Sequence, residues 1–117
     1  MSLEKTASYR VKNTYHTLNK LTDKTQNIWI VFHGMGYLSR YFIRYFRTLD
    51  SETNYIIAPQ APSKYYQDHT FKHVGASWLT RENTELEIDN VLAFVQSVWE
   101  NETQNAPSCR VFVLGYS

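Results

Sequence analysis

The end of the chain carries the feature that most constrains its fold, an apolar run followed at once by a glycine and a serine. Residues 109–114 read Cys-Arg-Val-Phe-Val-Leu, which predicts a buried strand, and Gly115-Tyr116-Ser117 follows directly. A small residue, a bulky residue and a serine after such a strand form the first half of a Gly-x-Ser-x-Gly nucleophile elbow, which exposes a serine hydroxyl at a sharp turn. Ser117 is therefore the candidate nucleophile.

Two further strands and two helices are predicted upstream. Residues 28–32 and 55–58 are apolar on both faces, which is typical of central strands in a parallel sheet with helices on either side. Apolar side chains recur at helical spacing over residues 38–49 and 84–101. Strands that alternate with helices predict an α/β fold with parallel strands and crossover helices.

The N-terminal region and the middle of the chain are predicted from weaker patterns. Residues 8–12 and 14–18 alternate and are rich in β-formers, so they predict an N-terminal antiparallel hairpin that turns at Asn13. Residues 59–80 hold two prolines, a glycine and several aromatic residues, and predict a long loop. A loop of this length in a compact domain is usually functional.

A glycine-rich segment follows the first central strand and is the second candidate part of a site. In His33-Gly34-Met35-Gly36, the two glycines permit a turn that directs a backbone N–H inward. Such amides stabilise the oxyanion of acyl transfer, and we expect the Met35 N–H to be one donor. His33 is expected to brace the loop. Because ligands bind at the carboxyl ends of parallel strands, this segment and Ser117 are expected at one edge.

Four segments in this order resemble the carboxylesterase/phospholipase/thioesterase group of α/β-hydrolases, which are small single-domain serine hydrolases. They are Phe32-His33-Gly34-Met35-Gly36, Ala58-Pro59-Gln60-Ala61-Pro62, Ser77-Trp78 and Val113-Leu114-Gly115-Tyr116-Ser117. The resemblance covers most of residues 28–117. It implies hydrolysis of a small-molecule ester or thioester, with Ser117 as nucleophile, the Met35 N–H in the oxyanion hole, and Trp78 and Tyr116 beside the substrate pocket.

The chain departs from this family in one respect. In the family the acid and the histidine of the triad follow the serine, whereas His16, His33, His69 and His73 all precede Ser117. Residues 1–117 are therefore expected to be the N-terminal half of a single α/β-hydrolase domain, inactive alone. The open edge of its sheet is expected to be covered by the remainder of the chain or by a homo-oligomer partner.

Composition narrows the classes of partner. The formal net charge is +1, which gives no electrostatic basis for nucleic-acid binding, and no segment predicts stable membrane insertion or a signal peptide, so a cytoplasmic location is expected. His69 and His73 have the i, i+4 spacing of a metal pair but lack a further ligand, so no metal or other cofactor is expected. Arg40, Arg44 and Arg47 are interpreted as a solvated helix face rather than a phosphate site.

Two alternatives to a hydrolase remain open. Gly34-x-Gly36-x-x-Ser39 approaches a dinucleotide-binding fingerprint, although Ser39 replaces the third glycine and Ala58-Pro59-Gln60 lacks the acidic residue that would hold a ribose. A non-catalytic interaction module with a hydrolase-like scaffold is the other alternative. Reaction of Ser117 with a serine-directed reagent, or binding of a nicotinamide cofactor, would separate these classes.

Overall fold

A computed structural model describes residues 1–116 as a mixed α/β arrangement with a four-stranded sheet and a separate two-stranded sheet. The elements in chain order are β1 (Tyr15–Leu18), β2 (Asn27–Phe32), α1 (Ser39–Phe42), a 3₁₀ helix (Ile43–Thr48), β3 (Asn54–Pro59), β4 (Ser63–Tyr66), β5 (Val74–Ser77), α2 (Thr84–Thr103) and β6 (Arg110–Gly115).

The four-stranded sheet has the order β1-β3-β2-β6, with β2 parallel to both β3 and β6. Every residue of β3 is buried, and every residue of β2 is buried or half-buried, as expected for strands covered on both faces. In the β2–β6 register, Ile28 lies opposite Val111 and Phe32 lies opposite Gly115. All three predicted parallel strands form, and the strand before Ser117 is a direct neighbour of the strand before His33. The prediction that residues 109–114 are buried is wrong, because β6 lies at the edge of the sheet and most of its residues are exposed.

The predicted N-terminal hairpin is wrong. Residues 8–12 form no strand, and β1 pairs antiparallel with β3, so that Tyr15 lies opposite Pro59 and Leu18 opposite Ile56. Tyr9 and Val11 are exposed, so a strand there would have no apolar face to bury. Asn13 donates a 2.8 Å hydrogen bond to the Gln60 carbonyl instead of forming a turn. The alternating pattern correctly predicted a strand at β1, but it did not specify which strand pairs with it.

The helices cover opposite faces of the main sheet, because successive side chains of a strand point to opposite sides. On one face Val31 and Ile56 pack with Phe42 of α1 and Ile43 of the 3₁₀ helix. On the other face, α2 packs against the sheet through the fully buried Val98 and the half-buried rings of Phe94 and Trp99. The residues of this second cluster include Ile28, Tyr55, Ile57, Phe94, Val98 and Trp99. The two predicted helices are confirmed, although the first tightens to 3₁₀ geometry after one turn.

One carboxylate joins the end of α2 to two strands of the sheet. Glu102 accepts a hydrogen bond from the Tyr15 hydroxyl at 2.6 Å and another from the Tyr55 hydroxyl. Burial and the hydrogen bond to this carboxylate raise the pKa of Tyr55 above its usual range, so the phenol stays protonated as a donor. These contacts fix the position of α2 over β1 and β3.

The connection between β3 and α2 contains a hairpin that the sequence did not predict. β4 and β5 pair antiparallel, with Ser63 opposite Ser77 and Tyr66 opposite Val74. Each strand has only four residues and β5 contains Gly75, so the β-pattern is too short to identify from the sequence. A bridge between Tyr37 and Ala76 links this hairpin to the loop after β2.

The outer edge of the main sheet is uncovered in the described part of the chain. β6 pairs with β2 on one side only, and its Val111, Phe112 and Val113 side chains are exposed, Val113 to 72%. On the adjacent α2, Ile88 and Leu92 are also exposed. Within residues 1–116, no helix has the combination of length and apolarity that a membrane span requires.

Candidate active site

The carboxyl ends of β2, β3 and β6 meet at one edge of the sheet, since these three strands are mutually parallel. Hydrogen bonds join the segments that leave these strands. The Tyr116 N–H donates to the Phe32 carbonyl at 3.0 Å, and the Ala61 N–H donates to His33 Nε2 at 3.0 Å. The predicted site segments around residues 33–36, 60–61 and 115–116 are thus brought together at this edge.

A tight turn follows β2 and spans Gly34 to Tyr37. The Tyr37 N–H donates to the Gly34 carbonyl at 3.2 Å, and Gly36 has a φ of +82° whereas Met35 does not have a positive φ. These features define a type II turn, which requires a positive φ at its third position and therefore favours glycine there. Gly36 is needed for the backbone conformation, as expected from the sequence.

The Met35 amide is oriented by its neighbours. The Gly34 carbonyl lies in the same peptide plane as the Met35 N–H, and it accepts hydrogen bonds from both His33 Nδ1, at 2.8 Å, and the Tyr37 N–H. In a trans peptide the N–H points opposite to the carbonyl, so these bonds fix the direction of the Met35 N–H. Within residues 1–116 this N–H has no hydrogen-bond acceptor, and the Met35 side chain is exposed.

His33 is a buried side chain whose two ring nitrogens both bind the backbone. Nε2 accepts the Ala61 N–H, so Nδ1 carries the proton that is donated to the Gly34 carbonyl. Burial lowers the pKa of His33, and the hydrogen bond to the Gly34 carbonyl opposes this shift. His33 is therefore a neutral imidazole that ties the turn after β2 to the segment after β3.

Trp78 lies at the base of the same turn. Its indole Nε1 donates to the His33 carbonyl at 2.8 Å, and its ring contacts those of His33 and Phe32 at centroid distances of 5.1 and 5.5 Å. One side of the indole faces an apolar groove of about 300 Å³ that continues along α2. The residues that line this groove are Phe32, Trp78, Leu79, Ile88, Val91 and Leu92.

The remaining predicted site residues lie at or beyond the end of β6. Tyr116 is exposed, and its ring lies 6.1 Å from that of Phe42. A Cβ added at Gly115 would meet no atom within 4 Å, so the described residues provide no steric reason for a glycine there. Ser117, the candidate nucleophile, lies outside the described residues.

No protein-family model matches the chain, and no curated protein matches it. The candidate site therefore depends on the geometry of its own residues. The contacts of Gln60 bear on the dinucleotide-binding alternative. Gln60 stands where a dinucleotide-binding fold needs an acidic residue to hold the ribose. Gln60 is buried, and its Oε1 accepts both the backbone N–H of Ser39 at 2.9 Å and the Ser39 hydroxyl at 3.1 Å. This buried amide holds the start of α1 against the segment that follows β3.

Two further histidines, His16 and His73, make contacts away from this turn. His16 Nδ1 lies 3.1 Å from the Ser39 hydroxyl, which is completely buried. His73 Nδ1 lies 3.2 Å from Asp68 Oδ2 on the exposed β4–β5 hairpin. Hydrogen bonds from Thr70 and His73 lower the pKa of Asp68. Within residues 1–116, no three His, Cys, Asp or Glu side chains are grouped so that they could hold a metal ion.

Two residues next to the turn had no role in the sequence-based site, Gln67 and Gly75. Gln67 Nε2 donates to the Gly36 carbonyl at 2.7 Å, and the Gly36 N–H donates to the Ala76 carbonyl at 2.8 Å. Both residues reach the turn only because the β4–β5 hairpin packs against it, and the sequence did not predict this hairpin. The glycine at position 75 was the only local signal of a close backbone approach.

Proposed function

We propose that the full-length protein is a serine hydrolase that cleaves carboxylic esters or thioesters through an acyl-enzyme on Ser117. The observation that carries the proposal is the contact between β6 and β2. The Tyr116 N–H donates to the Phe32 carbonyl, so the residue before Ser117 lies beside the start of the turn whose Met35 N–H has no acceptor within residues 1–116. Acyl transfer requires a nucleophile and a preorganised oxyanion donor close to the same carbonyl group, and segments that leave neighbouring parallel strands can supply both.

The reaction would proceed in two steps. The Ser117 Oγ attacks the carbonyl carbon and its proton passes to a histidine base, while the Met35 N–H stabilises negative charge on the carbonyl oxygen. The bond to the alcohol or thiol then breaks, and the leaving group takes the proton from the histidine. Water attacks the acyl-enzyme in the second step, which releases the carboxylic acid and restores the serine.

The histidine base and its acid partner would come from polypeptide other than residues 1–116. His33 is unsuited to the role, because its Nε2 accepts the Ala61 N–H and its Nδ1–H is donated to the Gly34 carbonyl. The resemblance to the esterase family implies an acid and a histidine after the serine. The proposal is therefore that residues 1–117 form the N-terminal half of an α/β-hydrolase domain that lacks these groups.

The apolar groove beside Trp78 supports an apolar acyl or alcohol group as part of the substrate. It begins at Phe32, the residue before the His33–Gly36 segment, and runs along the exposed apolar side of α2. Trp78 lines the groove and donates to the His33 carbonyl, so the groove begins close to the start of the turn.

The uncovered edge of β6 supports a second element of the proposal. Val111 and Val113 are exposed on the same strand that leads to Ser117. Unpaired strand edges with exposed apolar side chains associate readily with other polypeptide. We propose that further polypeptide of the same chain, or a second copy, covers this edge in the functional protein.

The Met35 amide gives the sharpest test of this function. Met35 is the second residue of a type II turn, where the fixed φ of proline is favoured, so Met35→Pro removes the N–H while keeping the turn. We expect kcat for p-nitrophenyl butyrate to fall by about 10² to 10³-fold in the full-length protein. Met35→Ala keeps the N–H and is expected to hold kcat near that of the unmodified protein.

Labelling by a fluorophosphonate separates the hydrolase from the interaction module. The full-length protein is expected to be labelled at Ser117, and Ser117→Ala to abolish labelling and lower kcat by about 10⁴-fold or more. Ser108→Ala, which alters an exposed serine before β6, is the matched control. Absence of label at Ser117 in the folded full-length protein would favour the non-catalytic module.

A further inference from the structure

We propose that Gln67 is a positioning residue that holds the turn after β2 in the conformation needed for oxyanion stabilisation, and that Gly75 provides the space for it. This inference rests on the proposed hydrolase function. It assigns to the β4–β5 hairpin, which carries both residues, the task of clamping the turn at Gly36, whereas His33 binds the turn at Gly34.

The clamp consists of hydrogen bonds to both backbone groups of Gly36. Gln67 Nε2 donates to the Gly36 carbonyl at 2.7 Å, and the Gly36 N–H donates to the Ala76 carbonyl at 2.8 Å. The Gly36 N–H belongs to the peptide that follows Met35, so the second bond fixes that peptide plane. The bond from Gln67 fixes the next peptide plane in the same way.

The hairpin approaches the turn so closely that position 75 must lack a side chain. A Cβ at Gly75 would lie 2.7 Å from the Gly36 carbonyl oxygen and 2.6 Å from Gln67 Nε2. Both distances are shorter than real Cβ atoms tolerate, and one of them is to backbone, which cannot rotate away. A side chain at this position would therefore push the hairpin off the turn and break the clamp.

The hairpin and His33 hold the turn from two sides. His33 and Tyr37 fix the Gly34 carbonyl, and hence the direction of the Met35 N–H in the same peptide, whereas Gln67 and Ala76 fix the two peptides that follow. With the clamp removed, the glycine at 36 has ample conformational freedom to let the turn rotate. An oxyanion donor acts only when it is oriented before the charge develops, so the clamp should affect the transition state more than substrate binding.

The test compares Gln67→Glu and Gly75→Ala with Gln26→Glu in the full-length protein, using p-nitrophenyl butyrate and fluorophosphonate titration of active sites. A carboxylate at 67 keeps the size of the side chain but cannot donate to the Gly36 carbonyl. We expect kcat per titrated site to fall by between about 10 and 100-fold in both variants, with KM changed less than twofold. Gln26 is exposed at the opposite edge of the sheet, so Gln26→Glu should retain full kcat.

The pH dependence of kcat distinguishes a positioning role for Gln67 from a purely structural one, which would leave the pH dependence unchanged. A protonated carboxyl at 67 regains a donor, so the ratio of Gln67→Glu kcat to unmodified kcat should rise as pH falls towards about 4.3, the usual pKa of glutamate. Hydrogen exchange at the Gly36 amide should accelerate in Gln67→Glu whether or not the protein is an enzyme.

The outcomes are distinguishable. If the unmodified full-length protein is not labelled at Ser117, the proposed hydrolase function fails, and exchange at Gly36 then reports on the clamp alone. If the protein is labelled but Gln67→Glu keeps kcat within twofold, with no change in the pH ratio, the positioning role is overturned even where Gly75→Ala does not fold.

Discussion

The Trp78 indole donates a 2.8 Å hydrogen bond to the carbonyl of His33, and the two rings lie 5.1 Å apart. This contact joins the start of the turn after β2 to the segment that follows the β4–β5 hairpin. His33 in turn binds Ala61 after β3 through its side chain. The buried His33 thus accepts a hydrogen bond through its carbonyl and makes two more through its ring, and these bonds hold the start of the turn in place.

Replacing Trp78 should weaken this part of the fold. Trp78→Phe removes the indole N–H and leaves the His33 carbonyl without that donor, which is expected to lower the free energy of unfolding by about 1–3 kcal/mol. Urea titration of the full-length protein followed by circular dichroism gives the measurement. Trp99→Phe is the matched control, since the Trp99 indole has no hydrogen-bond acceptor within residues 1–116. Equal losses in the two variants would contradict the role of the hydrogen bond.

The free energy of unfolding should depend on pH through His33. Burial lowers the pKa of His33 in the folded protein below its ordinary value of 6.5, so the unfolded chain binds the proton more readily. The stabilisation is therefore complete above pH 6.5 and is lost as pH falls towards the lower folded pKa. Denaturant titrations between about pH 7.5 and 5 should show this decline, and His33→Gln should reduce its slope. An unchanged slope in the variant would assign the pH dependence to other groups.

Two glycines of the candidate site should respond differently to alanine. Gly36 has a φ of +82°, and a Cβ there would meet only ordinary contacts at 3.4 Å, so Gly36→Ala should cost about 1–2 kcal/mol from backbone strain alone. A Cβ at Gly115 meets nothing within 4 Å in the described residues. In the 117-residue polypeptide, Gly115→Ala should therefore change the free energy of unfolding by less than about 0.5 kcal/mol. Thermal unfolding of both variants checks this order, and a larger loss at Gly115 would contradict it.

The exposed edge of β6 should make the isolated 117-residue polypeptide associate. Val113 is among its most exposed apolar residues, and a lysine on an edge strand opposes pairing with other strands. Val113→Lys is expected to shift the sedimentation profile towards monomer. Val11→Lys, at an equally exposed valine in the N-terminal segment, should have no such effect. An unmodified polypeptide that is monomeric and melts cooperatively would contradict the need for a covering partner.

The strands that carry the candidate site were predictable, because their apolar residues are nearly continuous. β2 and β3 are covered on both faces, and that leaves a clear signal in the sequence. β1 was placed at the right residues but given the wrong partner, since alternation states which face is apolar and not which strand lies beside it. The edge of β3 offered more buried apolar surface than the exposed residues 8–12.

The supports of the turn could not be predicted in the same way. The glycines at 34 and 36 indicated a turn, and the His33 ring has backbone partners, but the contact from Gln67 depends on the fold of the 59–80 connection. Short strands such as β4 and β5 have little intrinsic preference, and tertiary packing determines whether they form. Trp78 was assigned to the site through the resemblance, whereas its hydrogen bond to the His33 carbonyl required coordinates.

The most direct test of the central claim is a crystal structure of the full-length protein after reaction with a fluorophosphonate. We predict the phosphorus on Ser117 Oγ and a phosphonyl oxygen at about 2.7–3.1 Å from the Met35 amide nitrogen, the distance expected of an oxyanion donor. A phosphonate bound to another residue, or a phosphonyl oxygen directed away from the turn between Gly34 and Tyr37, would contradict the claim.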